Sequence, residues 1–213
     1  MWSGEKKLDK AGMGVSEDMP LEVRTREHPW VSRGGLKLAH ALQHFAVDVA
    51  GMIALDIGAS TGGFSDVLLH KGTAKIYAVD VGHGQLAWKL RQDPRIVVLE
   101  RVNARYLTRA EVPEPVDLVV CDASFIGLET VLPAALALAK EHAQLVALIK
   151  PQFEVGPDRV GKKGVVREPE LHREVCARIR AWLEGIGWVV QGIVESPIRG
   201  PEGNIEFLIH AKR

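Results

Sequence analysis

The chain has 213 residues, of which 46% are apolar and 25% charged, and its 27 basic and 27 acidic residues give a formal net charge of zero. This composition predicts a globular protein with a sizeable core, and it disfavours a surface coated in basic charge for non-specific nucleic-acid binding. The sequence contains no apolar run of the roughly 18 residues that a membrane span needs, no secretory signal, and no cysteine pattern typical of a disulfide framework or a zinc site, so we expect a cytoplasmic protein with no membrane partner.

Helical and strand patterns alternate from about residue 29 onward, as is typical of an α/β domain with a mostly parallel sheet. Residues 1–28 are polar and too short to fold alone, so we interpret them as a separate N-terminal segment preceding a domain at 29–213. The predicted strands are 52–57, 75–80, 96–100, 117–121, 144–149, 188–195 and 205–211. The predicted helices are 34–46, 62–71, 84–91, 127–139 and 169–185, with a loop at 150–168.

The predicted strands indicate how the sheet is built. The runs IALDI, IYAVD, DLVVC and LVALI are apolar without alternation, which favours strands buried on both faces, as in a doubly wound sheet. The last two strands are separated by the turn-rich segment SPIRGPEGN, which predicts a hairpin-like return. We therefore predict a Rossmann-like α/β fold with a seven-stranded, mostly parallel sheet whose last strand is antiparallel.

The segment ALDIGASTGGFSDVLL, residues 54–69, is the strongest local signal for a cofactor. A buried strand containing Asp56 turns through Gly58 into a helix, where glycines allow close backbone approach and the first N–H groups are unpaired. Asp56 would repel a pyrophosphate and favour a cation. S-adenosylmethionine carries an ammonium and a sulfonium and no phosphate, so it is favoured over NAD, whose glycine spacing is also absent.

Two further residues extend this predicted site. Asp80 ends the second strand, where a carboxylate can accept both ribose hydroxyls of an adenosine group, and Asn103 follows the third strand, in place for the adenine edge. The alternative, a tight turn with no ligand, leaves the ordered pair of acids, Asp56 and Asp80, unexplained. The predicted cofactor-binding residues are Asp56, Gly58, Ala59, Ser60, Gly62, Gly63, Phe64, Asp80, Asn103 and Asp122.

Four charged residues form the predicted catalytic set. Asp122 follows DLVVC and Lys150 follows LVALI, so both are expected at the carboxyl edge of the sheet, where ligands bind in open α/β folds. Glu206 begins the last predicted strand, and Lys37 lies in the helix that opens the domain. Taken alone, Lys37 and Glu206 are each typical of surface residues. Two lysines and two acids at one edge of the sheet together predict a reactive pocket.

The chemistry that suits this set is proton removal from a hydroxyl group. Methylation of a ribose hydroxyl needs its proton removed as the oxygen attacks the methyl group. A lysine can act as the base where burial and a neighbouring cation favour its neutral form. We predict Lys150 as the general base, Lys37 as the neighbouring cation, and Asp122 and Glu206 as orienting carboxylates, with no metal ion required.

Seven segments together are more specific than any one motif. They are VSRGGLKL (31–38), ALDIGASTGGFSDVLL (54–69), VDVGHGQLAWKL (79–90), CDASF (121–125), IKPQFE (149–154), KKGVVR (162–167) and SPIRGPEGNIEFL (196–208). In this order they resemble the hemolysin A (TlyA) family, whose catalytic domain is of the FtsJ-like ribose 2′-O-methyltransferase type. The resemblance implies a Lys–Asp–Lys–Glu tetrad at Lys37, Asp122, Lys150 and Glu206.

The resemblance also implies S-adenosylmethionine contacts at the glycine turn and Asp80, and a ribosomal-RNA substrate, typically a cytidine. Family members usually begin with a small RNA-binding domain, so residues 1–28 are interpreted as its remnant or as a linker. Two alternatives remain: a non-catalytic RNA-binding or hemolysin-like protein with a methyltransferase fold, and a nicotinamide-dependent oxidoreductase. The presence of Asp80 and of the lysine–carboxylate set disfavours the first of these, and the glycine spacing disfavours the second.

An RNA-binding surface on a neutral protein requires clustered basic side chains, because phosphate contacts need local positive charge. The segment 157–167 and the arginines near the start of the domain are the candidates. A solvated loop with no ligand is the alternative. The predicted RNA-binding residues are Arg24, Arg26, Arg33, Arg159, Lys162, Lys163 and Arg167.

Overall fold

The structure is a computed structural model that describes residues 28–213 without a gap, together with residues 2–3, 6–7, 16 and 18–20. Residues 2–3 and 6–7 pair as two short antiparallel strands. The predicted RNA-binding residues Arg24 and Arg26 lie outside the described residues. The division of the chain at residue 28 stays a prediction.

Within residues 28–213 the strands form one seven-stranded sheet of order β3-β2-β1-β4-β5-β7-β6. Its strands are β1 (Ile53–Ile57), β2 (Lys75–Asp80), β3 (Ile96–Glu100), β4 (Val116–Cys121), β5 (Ala139–Ile149), β6 (Val189–Glu195) and β7 (Phe207–Lys212). β7 pairs antiparallel with both β5 and β6, whereas the pairs among β1 to β5 are parallel. The predicted mostly parallel sheet with an antiparallel last strand is therefore confirmed.

Helices cover both faces of the sheet. They are α1 (Gly34–His44), α2 (Gly63–His70), α3 (Trp88–Arg91), α4 (Leu128–Ala137), α5 (Pro151–Glu154) and α6 (Pro169–Gly185). Ala54 of β1 packs into a core cluster with α1 and α2, whereas its neighbour Leu55 packs into a second cluster with α4 and α6. Because successive side chains of a strand point to opposite faces, the apolar run IALDI fills two cores at once.

The structure differs from the sequence prediction in three segments. The predicted helix at 84–91 is only α3, because Gly84, with a φ of +70°, and Ala87, with a ψ of 138°, have non-helical backbone. The predicted loop at 150–168 contains α5, which has proline at its first position, and two single turns of 3₁₀ helix. β5 begins at Ala139 rather than at residue 144, with a register irregularity opposite β4.

Candidate active site

A tight turn joins β1 to α2 at the carboxyl edge of the sheet. Gly58 has a φ of +79°, and a Cβ there would lie 2.9 Å from the backbone of Ala123. Gly62 has a φ of +93°, and a Cβ there would lie 2.2 Å from the Leu90 side chain. Both positions combine left-handed backbone with a close neighbour, so glycine is the residue that fits.

Asp80, at the end of β2, fixes the shape of this turn. Its Oδ2 accepts a hydrogen bond from the backbone N–H of Ser60 at 2.8 Å, and its Oδ1 accepts one from Gly82 at 2.7 Å. Ser60 itself has a positive φ of +48°. A carboxylate oxygen has two lone pairs, so each oxygen of Asp80 can still accept a second hydrogen bond.

A cavity of about 610 Å³, here called the Asp80 cavity, opens beside this turn. Asn103 lines it, but its Oδ1 accepts the backbone N–H of Arg105 at 3.1 Å and thereby caps a turn of 3₁₀ helix. Side chains that the sequence prediction did not include also line the cavity, among them Val81, Gln85 and Ile126. The predicted residues that line it are Gly58, Ser60, Asp80, Asn103 and Asp122.

Asp56 lies beneath the turn rather than in a cavity. It is fully buried, and its Oδ2 accepts a hydrogen bond from Ser65 Oγ at 2.6 Å. Burial raises the pKa of Asp56 to about 7, although the hydrogen bond from Ser65 acts in the opposite direction. Neither Asp56 nor Gly62 lines the Asp80 cavity or the cavity described next.

The four predicted catalytic residues are brought together at the same edge. Lys150 Nζ lies 2.6 Å from Asp122 Oδ1, and Lys37 Nζ lies 3.7 Å from Asp122 Oδ2 and 2.7 Å from Glu206 Oε2. Lys37, Lys150 and Glu206 are each more than nine-tenths buried. The result is a chain of alternating charges, Lys150–Asp122–Lys37–Glu206, in which each buried charge has an opposite partner.

A second cavity, of about 710 Å³ and here called the Lys150 cavity, contains all four of these side chains. Ala59, Gly63 and Phe64, which were predicted as cofactor contacts, line this cavity and not the Asp80 cavity. The two cavities meet, because they share the lining residues Gly58, Ser60, Asp122, Ser124 and Phe125. A group held in one cavity can therefore contact a group held in the other beside Asp122.

The predicted basic residues are distributed unevenly around the Lys150 cavity. Arg33 and Lys163 line it, and Lys163 has a positive φ of +64°. Lys162 and Arg167 are exposed but do not line it. Arg159 is paired with Glu174 at 2.7 Å, so part of its charge is already neutralised.

Several residues of the Lys150 cavity were not predicted from the sequence, among them Ser124, Phe125 and Asn204. Phe125 is 90% exposed and has a φ of +65°, a strained conformation for an aromatic residue. Ser124 Oγ contacts Lys150 Nζ at 2.9 Å. The motifs CDASF and SPIRGPEGN contain these residues. A polar and an aromatic residue two and three positions after a strand-end aspartate were a usable signal for the first two.

Asn204 joins residues 157–167, here called the basic segment, to the segment before β7 that contains Glu206. Its side chain is buried, its Oδ1 accepts from the backbone N–H of Val166 at 3.0 Å, and its Nδ2 donates to the carbonyl of Gly164 at 2.9 Å. The carbonyl of Val166 contacts His172 Nε2 at 3.0 Å. The basic segment, which contains Lys163, is therefore connected by side-chain hydrogen bonds to the segment before β7 and to α6.

Neither a metal-binding cluster nor a membrane-spanning helix accompanies the site among the described residues. They contain no group of three or more histidine, cysteine, aspartate or glutamate side chains arranged to hold a metal ion. None of the helices in the described part of the chain is long and apolar enough to cross a membrane.

Comparisons with known proteins give a consistent result. The model of the FtsJ-like methyltransferase family matches residues 30–213. The chain is 51% identical over 201 residues to the 16S/23S rRNA (cytidine-2′-O)-methyltransferase TlyA of Mycobacterium tuberculosis, which covers 94% of this chain and 75% of the relative. It is 40% identical over 185 residues to Hemolysin A of Brachyspira hyodysenteriae, covering 85% of this chain and 76% of that protein.

Solved structures agree with the fold. A protein of Streptococcus thermophilus that carries a hemolysin name superposes with a TM-score of 0.85 at 44% identity, covering 92% of this chain and 71% of that one. A SAM-dependent methyltransferase of Aquifex aeolicus superposes with a TM-score of 0.54 at 22% identity, covering 85% of this chain and 94% of the other. The second likeness concerns the fold alone.

Proposed function

The chain belongs to the FtsJ-like methyltransferase family, and from this membership we propose that it transfers a methyl group from S-adenosylmethionine to the ribose 2′-hydroxyl of a cytidine in ribosomal RNA. The observation that carries the proposal is the Lys150–Asp122–Lys37–Glu206 chain at the junction of two cavities. The relative from Mycobacterium tuberculosis is named for this reaction.

The Asp80 cavity fits the methyl donor, which when bound supplies an electrophilic methyl group on a sulfonium. Gly58 has no Cβ, which lets the turn pack against the backbone of Ala123 at the wall of this cavity. Asp80 would accept the ribose hydroxyls of the donor with the lone pairs that its two backbone hydrogen bonds leave free. Asn103 would contact the adenine. Asp56 lies beneath the turn, so it would not contact the donor directly and its effect on donor binding would be indirect.

The Lys150 cavity holds the groups that would act on the RNA ribose. Lys150 takes the proton of the 2′-hydroxyl as the oxygen attacks, and Asp122 holds Lys150 in place through the 2.6 Å contact. Lys37 places a second positive charge beside the other oxygen of Asp122. Glu206 holds Lys37 in turn. No step in this scheme needs a metal ion.

The RNA would approach across Arg33 and Lys163, which line the Lys150 cavity. The exposed Lys162 and Arg167 extend the positive charge along the same segment, and Arg159 contributes less because Glu174 pairs with it. Phosphate contacts of this kind fix the position of the RNA without reading its sequence. The cytoplasmic location and the ribosomal partner follow from this substrate.

The reaction is tested by incubating ribosomal RNA and ribosomal subunits with the protein and with donor labelled on its methyl group. A 2′-O-methyl group blocks alkaline cleavage of the next phosphodiester bond, so the product is mapped by a gap in the cleavage ladder at a cytidine. Lys150→Ala is expected to give no gap. Lys71→Ala, a matched lysine change outside both cavities, is expected to give the full gap.

Two outcomes would contradict the proposal. A label found on a base instead of a ribose would overturn the assigned acceptor. RNA binding with donor binding but no label in any RNA would favour the non-catalytic alternative.

A further inference from the structure

Ser124 lies where the Lys150 cavity and the Asp80 cavity meet, and it is exposed to both. It follows Asp122 by two residues, in the segment that leaves β4. Its Oγ lies 2.9 Å from Lys150 Nζ. The Lys–Asp–Lys–Glu scheme described above gives this hydroxyl no role.

The surroundings of Lys150 Nζ determine what Ser124 can do. Lys150 Nζ contacts Asp122 Oδ1 at 2.6 Å, the backbone carbonyl of Asp122 at 3.2 Å, and Ser124 Oγ at 2.9 Å. An ammonium group has three N–H donors and no acceptor. The three contacts therefore use all three donors of a charged Lys150, and no lone pair is available for a substrate proton.

The three partners differ in one chemical property. The carboxylate oxygen and the backbone carbonyl of Asp122 can only accept hydrogen bonds, whereas a serine hydroxyl both donates and accepts. A neutral amine has two N–H donors and one lone pair. If the lone pair faced either oxygen of Asp122, two electron pairs would oppose each other. The lone pair must therefore lie on the Ser124 side.

We propose that Ser124 is a positioning residue that directs the lone pair of neutral Lys150 toward the junction of the two cavities, an inference that rests on the proposed general-base function of Lys150. When Lys150 is charged, Ser124 accepts its third hydrogen bond, as in the structure. When Lys150 is neutral, the hydroxyl turns and donates to the lone pair. The 2′-hydroxyl of the RNA then takes the place of the Ser124 hydrogen at the same side of Nζ.

The proton and electron balance follows from this arrangement. The O–H bond of the ribose breaks as a third N–H bond forms on Lys150. The O–CH₃ bond forms as the S–CH₃ bond of the donor breaks, and the bonding pair leaves on sulfur. Lys150 ends as an ammonium with its three partners restored, and it returns its proton to water through the exposed Ser124 side before the next turnover.

The other charged groups around Lys150 do not duplicate Ser124. Asp122 comes from β4, Lys37 from α1 and Glu206 from the segment before β7, and their charges alternate. Burial raises the pKa of the Cys121 thiol to about 12, and the charge of Lys150 acts in the opposite direction. None of these groups has a hydroxyl that could replace that of Ser124. Because Ser124 is uncharged, removing its hydroxyl leaves the net charge around Lys150 unchanged.

The test compares Ser124→Ala with Ser124→Thr, which keeps the hydroxyl, and with Thr108→Ala, which removes a hydroxyl that donates to Glu111 outside both cavities. Single-turnover methyl transfer is measured from pH 5.5 to 9.5 with RNA and donor both saturating. Ser124→Ala is expected to lower the maximal rate by about tenfold, a modest share of what a general base contributes. The midpoint of the rising limb moves to lower pH by about half a unit, because the ammonium has lost an acceptor. Ser124→Thr is expected to keep most of the wild-type maximal rate and a midpoint close to that of the wild type.

A second readout needs neither RNA nor donor. The ¹³Cε resonance of Lys150, assigned by its absence in Lys150→Arg, follows the protonation of this side chain. Its titration is expected to move to lower pH in Ser124→Ala and to stay in place in Thr108→Ala. If Ser124→Ala changed neither the midpoint of the rising limb of the pH–rate profile nor the titration of the Lys150 resonance, the inference would be overturned. The methyltransferase proposal would remain intact. Absence of methyl transfer by the wild-type protein, with the titration shift still present, would overturn the function and not the contact.

Discussion

At the scale of single residues, Lys150 and Asp80 define the two halves of the site. Lys150 has its charge partner in Asp122, and Asp80 has its partners in two backbone N–H groups. In the proposed function, Lys150 belongs to the groups that act on the RNA ribose, and Asp80 belongs to the wall of the donor cavity. Substitutions at the two positions are expected to separate methyl transfer from donor binding.

Lys150→Ala is expected to abolish methyl transfer while leaving the calorimetric affinity for S-adenosylmethionine nearly unchanged. Lys150→Arg should fail as well, because a guanidinium stays protonated and cannot accept the hydroxyl proton. Product assays and calorimetry on both variants check this. An active arginine variant would leave Lys150 as a positioning cation, and lost donor affinity in the alanine variant would place it in the cofactor site.

Asp80→Ala is expected to weaken donor binding by about 10- to 100-fold, the range for losing charge-assisted hydrogen bonds. The change also removes the acceptor for the N–H groups of Ser60 and Gly82. Asp80→Asn is the control that keeps a polar acceptor in place, and it should lose less affinity. Calorimetry decides, and an Asp80→Ala protein with wild-type donor affinity would remove Asp80 from the proposed donor site.

At the scale of secondary-structure elements, the site depends on connections between segments that are distant in sequence. Glu154 in α5 accepts the N–H of Leu128 at the start of α4 at 2.8 Å, and its carboxylate pairs with Arg178 of α6. Glu154 therefore links the segment after Lys150 to the segment after Asp122. Burial raises the pKa of Glu154 despite this pairing.

Asn204→Ala is expected to loosen the basic segment 157–167, because it removes both side-chain hydrogen bonds to Gly164 and Val166. We expect a loss of stability of roughly 1–3 kcal/mol, together with faster tryptic cleavage at Lys162 and Lys163 and a higher KM for RNA. Gln191→Ala, a matched amide change on the exposed edge strand, is the control. Wild-type cleavage rates in Asn204→Ala would show that other contacts hold the segment.

Neutralising Lys162 and Lys163 together is expected to weaken RNA binding. It should also reduce the slope of log affinity against log salt concentration by the amount expected for about two phosphate contacts. The measurement is RNA affinity across a range of salt concentrations. Glu170→Gln with Arg173→Gln, an exposed ion pair on α6, is the matched double change with no net charge difference. An unchanged slope in the lysine variant would give the segment another role.

The same elements mark the limit of prediction from sequence. Asp122 and Lys150 could be placed together because the carboxyl ends of parallel strands share one edge of a sheet. The contact of Asn204 with Val166 spans 38 positions and depends on two irregular segments, for which no periodic pattern exists. The burial of Asp56 beneath the turn was also beyond the sequence, because a strand-end acid can face the ligand or the sheet.

At the scale of the whole molecule, two buried titratable groups have opposite effects on stability. The pKa of Asp56 is raised from 3.8 to about 7 by burial, so the unfolded chain releases a proton that the folded chain keeps. Burial lowers the pKa of His210 from 6.5 to about 4, so between these pH values the unfolded chain binds a proton that the folded chain does not bind. The free energy of unfolding therefore falls with rising pH between about 4 and 7 through Asp56, and rises between about 4 and 6.5 through His210.

Because these two slopes oppose each other, the wild-type protein is expected to show a weaker pH dependence between 4 and 7 than either variant. Asp56→Asn should leave a stability that falls as the pH is lowered from about 6.5 to about 4, and His210→Gln should leave one that falls as the pH is raised from about 4 to about 7. Urea denaturation at half-unit pH steps checks the signs, with the exposed Asp158→Asn and His142→Gln as controls. Slopes of the same sign in both variants would contradict the assignment.

The position of β7 between β5 and β6 has a consequence for when the protein becomes active. Lys37 and Glu206 are 169 residues apart in sequence, yet their side chains form a 2.7 Å contact. A contact between such distant residues closes late in folding, because the intervening chain must be ordered first. A chain still emerging from the ribosome lacks this contact until Phe207–Lys212 has paired with β5. The proposed active site is therefore incomplete in any folding intermediate in which β7 has not yet paired with β5.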